Sequence, residues 1–250
     1  MVFTKFKPWI RSFITMKTSP ALLNIQFADQ PLPSLGSKTT NKPESAVPAA
    51  IAVVAIIGLQ MSLLEKLTLG PNWLAPALEL ALLVPLMVAA PKRRPSDARG
   101  LRVAAVVLIG LINAANIASL LLLVHFLLVG GKANGGALLF DAVKLWLTNV
   151  ILFALWFWEL DRGGPNRRGH ASQKHPDFLF PQMTAPDLAP SGWKPSFLDY
   201  VFVSFTNAAA FSPTDTLPLT ARVKMLMMVQ ALTSLLTVAL VAGRAVNILP

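Results

Sequence analysis

A few polar side chains interrupt long apolar blocks of the sequence, and these are the positions where chemistry could occur. Glu79 lies near the middle of one block, where an ionised carboxylate is costly and usually faces a cavity or a partner. Asn113 and Asn116 reach a similar depth in the next block, three residues apart on a helix. We predict that Glu79 hydrogen-bonds this pair. The contact would either hold helices together or contribute to a transport path, and both interpretations are open.

A second polar set lies near the carboxyl end of the chain. It consists of Gln230, Thr233, Ser234 and Thr237. The spacing places all of them on one helical face, as in an inner helix that lines a wet path. Packing against a neighbouring helix explains the stripe nearly as well. Asp141 and Lys144, three residues apart, are predicted to form a local ion pair.

Residue patterns that carry catalysis or bind metals are missing from the sequence. It has no Ser/His/Asp set, paired catalytic carboxylates, Gly-rich phosphate loop or Glu/His metal motif. The cysteine count is zero, which excludes disulfides and thiolate metal sites, and the three histidines lack a metal-ligand spacing. We therefore expect no enzyme activity, cofactor or metal ion.

The overall composition is that of a protein surrounded by lipid. The chain is 54% hydrophobic and 14% charged, with a mean hydropathy of +0.57, whereas soluble domains carry about 25% charged residues. The net charge of +10 comes from basic residues that lie mainly between the apolar blocks. They are not interleaved with aromatic residues, so we expect the lipid bilayer, and not nucleic acid, as the partner.

The apolar blocks predict an all-α membrane protein of about five transmembrane helices. The predicted spans are Ala46 to Leu64, Trp73 to Ala90, Leu101 to Val129, Ala137 to Glu159 and Thr220 to Leu249. A shorter segment, Phe197 to Ala210, is too short to cross a membrane and is followed by residues that favour irregular backbone. A re-entrant half-helix fits this pattern, and so does a buried or interfacial helix.

The chain divides into four regions of different composition. These are a basic tail (1–45), a four-helix transmembrane region (46–160), a polar Pro/Gly-rich loop (161–196) and a carboxyl-terminal region (197–250). Basic residues concentrate in the tail and in the loops after the second and fourth spans. The positive-inside rule therefore predicts a multi-pass plasma-membrane protein with a cytoplasmic amino terminus.

The carboxyl-terminal region also carries a family resemblance. The matching residues are Asp199 to Thr206, Asp215 to Thr220, Gln230, and Ala239 to Arg244. This region resembles the pore half of small prokaryotic potassium channels. The resemblance implies a span, a re-entrant pore helix, a selectivity loop and an inner helix that together form one quarter of a tetrameric ion-transport pore.

The resemblance fails at the selectivity filter. Where the family has Thr-Val-Gly-Tyr-Gly-Asp, this chain has Ala210, Phe211, Ser212, Pro213, Thr214 and Asp215. The filter aims backbone carbonyls at the dehydrated ion, and its glycines allow conformations that other residues disfavour. Pro213 further restricts the backbone, so we predict a degenerate filter without potassium selectivity. Asp215 is predicted to cap the next helix or to pair with Arg222.

Two further observations concern kinship and sidedness. The chain resembles a group of uncharacterised bacterial membrane proteins in three segments, Trp156 to Pro165, Asp177 to Met183, and Phe205 to Asn207. This resemblance implies a bacterial origin and indicates no particular activity. The channel family places its filter loop outside the cell, whereas the charge distribution here places it inside. Two functions are open: a homo-oligomeric, ion-channel-like pore without potassium selectivity, or a non-conducting scaffold or partner subunit with a degenerate pore fold.

Overall fold

A computed structural model of the chain gives the fold. The residues that it describes are 45, 47–71, 73–89, 98–129, 135–165, 168, 175–210 and 215–248. The basic tail, apart from residue 45, lies outside this part of the chain. Within the filter-like loop, Phe211, Ser212, Pro213 and Thr214 also lie outside it.

The described residues form helices joined by short turns and one pair of very short strands. In chain order the elements are α1 (Val47–Met61), α2 (Leu74–Ala89), α3 (Ala98–Leu128), α4 (Gly135–Leu160), β1 (Phe178–Leu179), α5 (Pro181–Thr184), α6 (Phe197–Ala210), β2 (Leu217–Pro218) and α7 (Ala221–Ile248). Single 3-10 turns occur at Glu65–Leu67, Asp161–Gly163 and Pro186–Leu188.

Three helices are long and apolar enough to cross a membrane. The stretches that qualify are Gly100–Leu128 in α3, Gly136–Gly163 at α4 and Ala221–Gly243 in α7. α1 has 15 residues and α2 has 16, which is fewer than the roughly 20 that a perpendicular span needs. The chain thus has the helices of a membrane protein, while α1 and α2 fall short of the length predicted for two of the five spans.

Helix α4 is the centre of the structure. It packs against α1, α3, α6 and α7. Inside the structure, 61% of its apolar stretch is buried, compared with 39% for α3 and 22% for α7. Much of the apolar surface of α7 is therefore left for lipid or for another protein to cover.

Helix α6 has the bounds predicted from the sequence, and its start has a local cause. The backbone amide and the hydroxyl of Ser196 both donate to Asp199 Oδ2, each at 2.7 Å. An acidic residue in the first turn also compensates the unpaired amides and the positive end of the helix dipole. The helix buries Tyr200, Val203, Ser204, Asn207 and Ala208, a set at helical spacing.

The predicted polar loop (161–196) contains regular structure where it is described. β1 pairs with β2 in antiparallel register, with Phe178 opposite Pro218 and Leu179 opposite Leu217. The pairing is extended by the Leu219 amide, which donates to the Asp177 carbonyl at 2.9 Å. This loop is thereby joined to the residues that immediately precede α7.

Candidate functional site

Polar side chains join α4, α6 and α7 in a buried seam. Its centre is Gln230 of α7, which is completely buried. Gln230 Nε2 donates to the Ser204 carbonyl at 2.9 Å and to Ser204 Oγ at 2.7 Å. Asn207 Nδ2 donates to Gln230 Oε1 at 2.8 Å and to the Met227 carbonyl at 3.0 Å. Both polar atoms of the Gln230 amide group therefore bind α6.

The seam continues from α6 to α4. Ser204 Oγ donates to the Val150 carbonyl of α4 at 2.6 Å. One turn further along α7, Ser234 Oγ donates to the Ala208 carbonyl at 2.6 Å and accepts from Trp146 Nε1 at 2.7 Å. Each of the three helices is thus hydrogen-bonded to the other two, and we call Trp146, Ser204, Asn207, Gln230 and Ser234 the three-helix seam.

The predicted polar stripe on α7 belongs to this seam. Gln230, Ser234 and Thr237 are buried, and Thr233 is half-buried. The hydroxyls of Thr233 and Thr237 donate to carbonyls one turn earlier in α7, each at 2.8 Å. These contacts favour the packing interpretation of the stripe, because its polar groups bind the same chain.

The described ends of the filter-like loop are exposed. Ala210 is the last residue of α6, and Asp215 lies just before β2. The predicted ion pair between Asp215 and Arg222 is not formed, because Arg222 binds the carboxylate of Asp177 instead. β1 brings Asp177 next to the start of α7, a position that chain order did not suggest.

A second polar group lies where α4 ends. We call Asp161, Arg168, Asp177, Tyr200 and Arg222 the cap cluster. The fully buried Asp161 accepts from the Asp177 amide at 2.8 Å and from the Tyr200 hydroxyl at 2.7 Å. Arg168 donates to the Tyr200 hydroxyl, and its guanidinium carbon lies 5.0 Å from the Tyr200 ring centroid. The cluster therefore joins α4, the following loop and α6.

Asp177 connects the same cluster to α7. Arg222 binds it with two nitrogens, Nε at 2.9 Å from Oδ1 and Nη2 at 2.6 Å from Oδ2. The Thr220 hydroxyl (2.7 Å) and the Arg162 amide (3.0 Å) also donate to it. Burial by itself would raise the pKa of Asp177, but the hydrogen bonds and the positive charge of Arg222 outweigh burial and hold that pKa below its usual range.

The cap cluster was not identified from the sequence as a set of interacting residues. Asp161 and Asp177 lie in two segments, Trp156 to Pro165 and Asp177 to Met183, that resemble bacterial membrane proteins. The sequence signal for the cluster was therefore an acidic residue beside aromatic residues in each segment. In the structure their oxygens accept from protein donors on several segments. Such saturated carboxylates position segments and leave little capacity for a ligand.

The third polar group lies between α1, α2 and α3. Glu79 is buried, but neither of its carboxylate oxygens has a hydrogen-bond partner. The hydrogen bond predicted between Glu79 and Asn113 or Asn116 is therefore not formed, and the side-chain oxygens of both asparagines also lack a partner. The Gln60 amide faces Glu79, although no pair of their atoms meets hydrogen-bond geometry.

The predicted local ion pair on α4 is confirmed. Lys144 Nζ lies 2.9 Å from Asp141 Oδ1. Lys144 also donates to the Ser62 carbonyl at 2.6 Å, and Asp141 Oδ2 accepts from the Leu64 amide at 3.3 Å. The pair thus binds the backbone that follows α1, which is a structural role.

Comparisons with known proteins add no relative to these observations. No family model, curated protein or solved structure matches the chain. Within the part of the chain that the structure describes, no group of three or more His, Cys, Asp or Glu residues could hold a metal ion. By their length and composition, the three long apolar helices fit the class of helical membrane proteins.

Proposed function

We propose that this chain is a multi-pass plasma-membrane protein that acts as a non-conducting scaffold or partner subunit with a channel-like carboxyl-terminal half. The observation that carries the proposal is the three-helix seam. A helix that lines a water-filled path presents polar groups to that path. Here the polar groups of Gln230 and Ser234 are hydrogen-bonded to α4 and α6 of the same chain.

The opposite face of α7 supports the same proposal. Met228, Leu232 and Leu235 are between 51% and 67% exposed, and all three are apolar. Such a surface suits lipid tails or the packed helices of another membrane subunit. We propose that α7 makes the contact with a second copy of the chain or with a different membrane partner.

The topology within the membrane is also a proposal. α1 and α2 cross together with the three longer helices, and the amino terminus is cytoplasmic. A re-entrant course of α6 is supported by its contacts. Tyr200, in the first turn, bonds Asp161 at the end of α4, whereas Ala208 bonds Ser234, about 20 Å along α7 from its start. After α6 the chain returns toward its starting level, because β2 pairs with β1 next to Asp177.

A second candidate function is an oligomeric, ion-channel-like pore without potassium selectivity. The observation that favours it is the position of α6 between α4 and α7, to both of which it hydrogen-bonds. The pore half of potassium channels has a short pore helix between its outer and inner helices. Several copies would then surround a path lined by residues other than the buried stripe.

Ion flux in liposomes separates the two candidates. Purified protein is reconstituted and exposed to potassium and sodium gradients, with empty liposomes and Asp215→Asn protein as controls. The scaffold proposal expects flux equal to that of empty liposomes for both ions. Flux without preference between the ions would overturn the scaffold proposal in favour of the pore. Potassium flux with sodium excluded would contradict both candidates, because it requires a selective filter.

A further inference from the structure

A surface groove lies between the end of α4 and the segment that joins β1 to α6. We call it the basic groove. Arg162 lines one part of it, and residues between Gln182 and Pro195 line the remainder. Its volume is about 340 Å³. Ligand pockets in proteins begin at about 300 Å³, so the groove has room for a small polar group.

The charges that line the basic groove are positive. Arg162 and Lys194 both line it, and no acidic residue is among its described lining residues. Lys194 is exposed and forms no ion pair with a described residue. Arg162 Nε lies 3.8 Å from Asp161 Oδ2, but that carboxylate also accepts from the Tyr200 hydroxyl and the Asp177 amide. The groove therefore attracts an anion.

The hydrogen-bond donors of the groove have few acceptors within the chain. Arg162 Nε has no hydrogen-bond partner, and Nη2 donates to Met183 Sδ at 3.4 Å, which is a weak acceptor. The Lys194 ammonium and the Trp193 indole N–H donate to none of the described residues. Donors of this number around one groove are complementary to a group with several acceptor oxygens, such as a phosphate.

The backbone of Arg162 provides an independent observation. Its φ angle is 53°, and no other described residue except glycine has a positive φ angle. Glycine adopts this left-handed conformation without steric strain, whereas arginine does not. Strained residues of this kind concentrate at ligand sites. An arginine is thus placed at the groove in a conformation that disfavours it, which indicates a role for its side chain.

The surroundings of the groove match the edge of a membrane. The apolar stretch at α4 that is long enough to cross a bilayer ends at Gly163, next to Arg162. Trp193, in the groove, is of a residue type enriched at the level of lipid headgroups. Leu188 and Leu198 flank the lining segment in the chain and are 88% and 73% exposed. Cations beside exposed apolar side chains suit a ligand with both a phosphate and acyl chains.

We infer that the basic groove binds the headgroup phosphate of an anionic phospholipid. Arg162, Lys194 and the Trp193 N–H supply charge and donors to the phosphate oxygens. Leu188 and Leu198 contact the acyl chains. In the proposed orientation this loop is cytoplasmic, and the cytoplasmic leaflet attracts basic groups through its anionic lipids. The inference goes beyond the proposed function and requires only that the chain lies in a bilayer, because a lipid can hold this loop on a scaffold or on a pore.

Lipid titration of the full-length protein in detergent tests the inference. Thermal unfolding is followed at constant ionic strength while phosphatidylglycerol, or phosphatidylcholine with the same acyl chains, is added to the micelles. We expect phosphatidylglycerol to raise the unfolding temperature further and in a saturable manner, because a ligand of the folded state stabilises it. Lys194→Gln should weaken the apparent affinity for phosphatidylglycerol about fivefold, the contribution of one cation near an anionic headgroup. Arg162→Gln should weaken it about tenfold or more, because charged hydrogen bonds are lost as well.

A matched control separates the groove from general surface charge. Lys224→Gln removes an exposed lysine of α7 that does not line the groove, and it should bind phosphatidylglycerol as the unmodified protein does. Lys194→Gln changes an exposed side chain, so it keeps the test decisive if Arg162→Gln does not fold. Equal loss of affinity in Lys194→Gln and Lys224→Gln would overturn the inference.

Two other results would also overturn the lipid site. One is equal stabilisation by phosphatidylglycerol and phosphatidylcholine, which leaves no role for the positive charge. The other is equal stabilisation by inorganic phosphate or glycerol phosphate at the same concentration, because the ligand would then be a soluble anion. Neither result bears on the scaffold proposal, which ion flux in liposomes decides.

Discussion

At the scale of single residues, Asp177 receives hydrogen bonds from two separate segments, one after α4 and one at the start of α7. The donors are Arg162 after α4, Thr220 before α7 and Arg222 in its first turn. We predict that Asp177→Asn lowers the free energy of unfolding by about 2 kcal/mol, because charge-assisted hydrogen bonds are lost. Thermal unfolding in detergent measures the change. Asp187→Asn, which alters an exposed carboxylate of the same loop, is the control and should have little effect.

The same residue predicts a dependence on pH. The pKa of Asp177 is lowered in the folded protein, so its stabilising contribution is complete above the ordinary aspartate pKa of about 3.9. It is lost as the pH falls through the lower pKa of the folded state. The difference in unfolding temperature between the unmodified protein and Asp177→Asn should therefore persist at pH 6 to 7 and shrink below about pH 4. A difference independent of pH would contradict this role.

At the scale of elements, the turn that ends α4 depends on left-handed backbone. Arg162, Gly163 and Gly164 have φ angles of 53°, 85° and 94°. The Arg162 amide is held by Asp177 Oδ2, so the cap cluster supports a conformation that a non-glycine residue disfavours. The strained turn directs the chain from α4 toward β1.

Gly164 is the residue of this turn that least tolerates a side chain. A Cβ atom there would lie 2.9 Å from Glu159 Oε1 and 3.0 Å from the Glu159 carbonyl oxygen. We predict that Gly164→Ala destabilises the protein by about 1 to 3 kcal/mol through strain and this close contact. Gly58→Ala in α1 is the matched control, because a Cβ at Gly58 has no atom within 4 Å. Equal unfolding temperatures for the two variants would argue against a constrained turn.

At the scale of the whole molecule, the direction of insertion is the principal prediction. Because the chain has no cysteine, single cysteines can be placed without background. The basic loops predict that Ser172→Cys is shielded from an impermeant thiol reagent in intact cells, while Asn134→Cys is labelled. Both positions lie outside the described residues. The opposite labelling pattern would reverse the orientation and strengthen the kinship with potassium channels.

The sequence by itself predicted features that depend only on residues close to one another along the chain. The apolar blocks indicated the long helices, the length of the short apolar segment gave the bounds of α6, and the three-residue spacing gave the Asp141–Lys144 pair. These properties follow from helical periodicity and from transfer of apolar side chains out of water. They need no information on how helices pack.

Only the tertiary structure decided which polar groups meet. Arg222 binds Asp177, which is 45 residues away, and Gln230 binds Ser204, which is 26 residues away. Glu79 faces Gln60, and its predicted hydrogen bond to Asn113 or Asn116 is not formed. The partner of a polar side chain depends on the rotation and axial offset of two packed helices. Those are set by the sum of many apolar contacts across the interface, which no local pattern specifies.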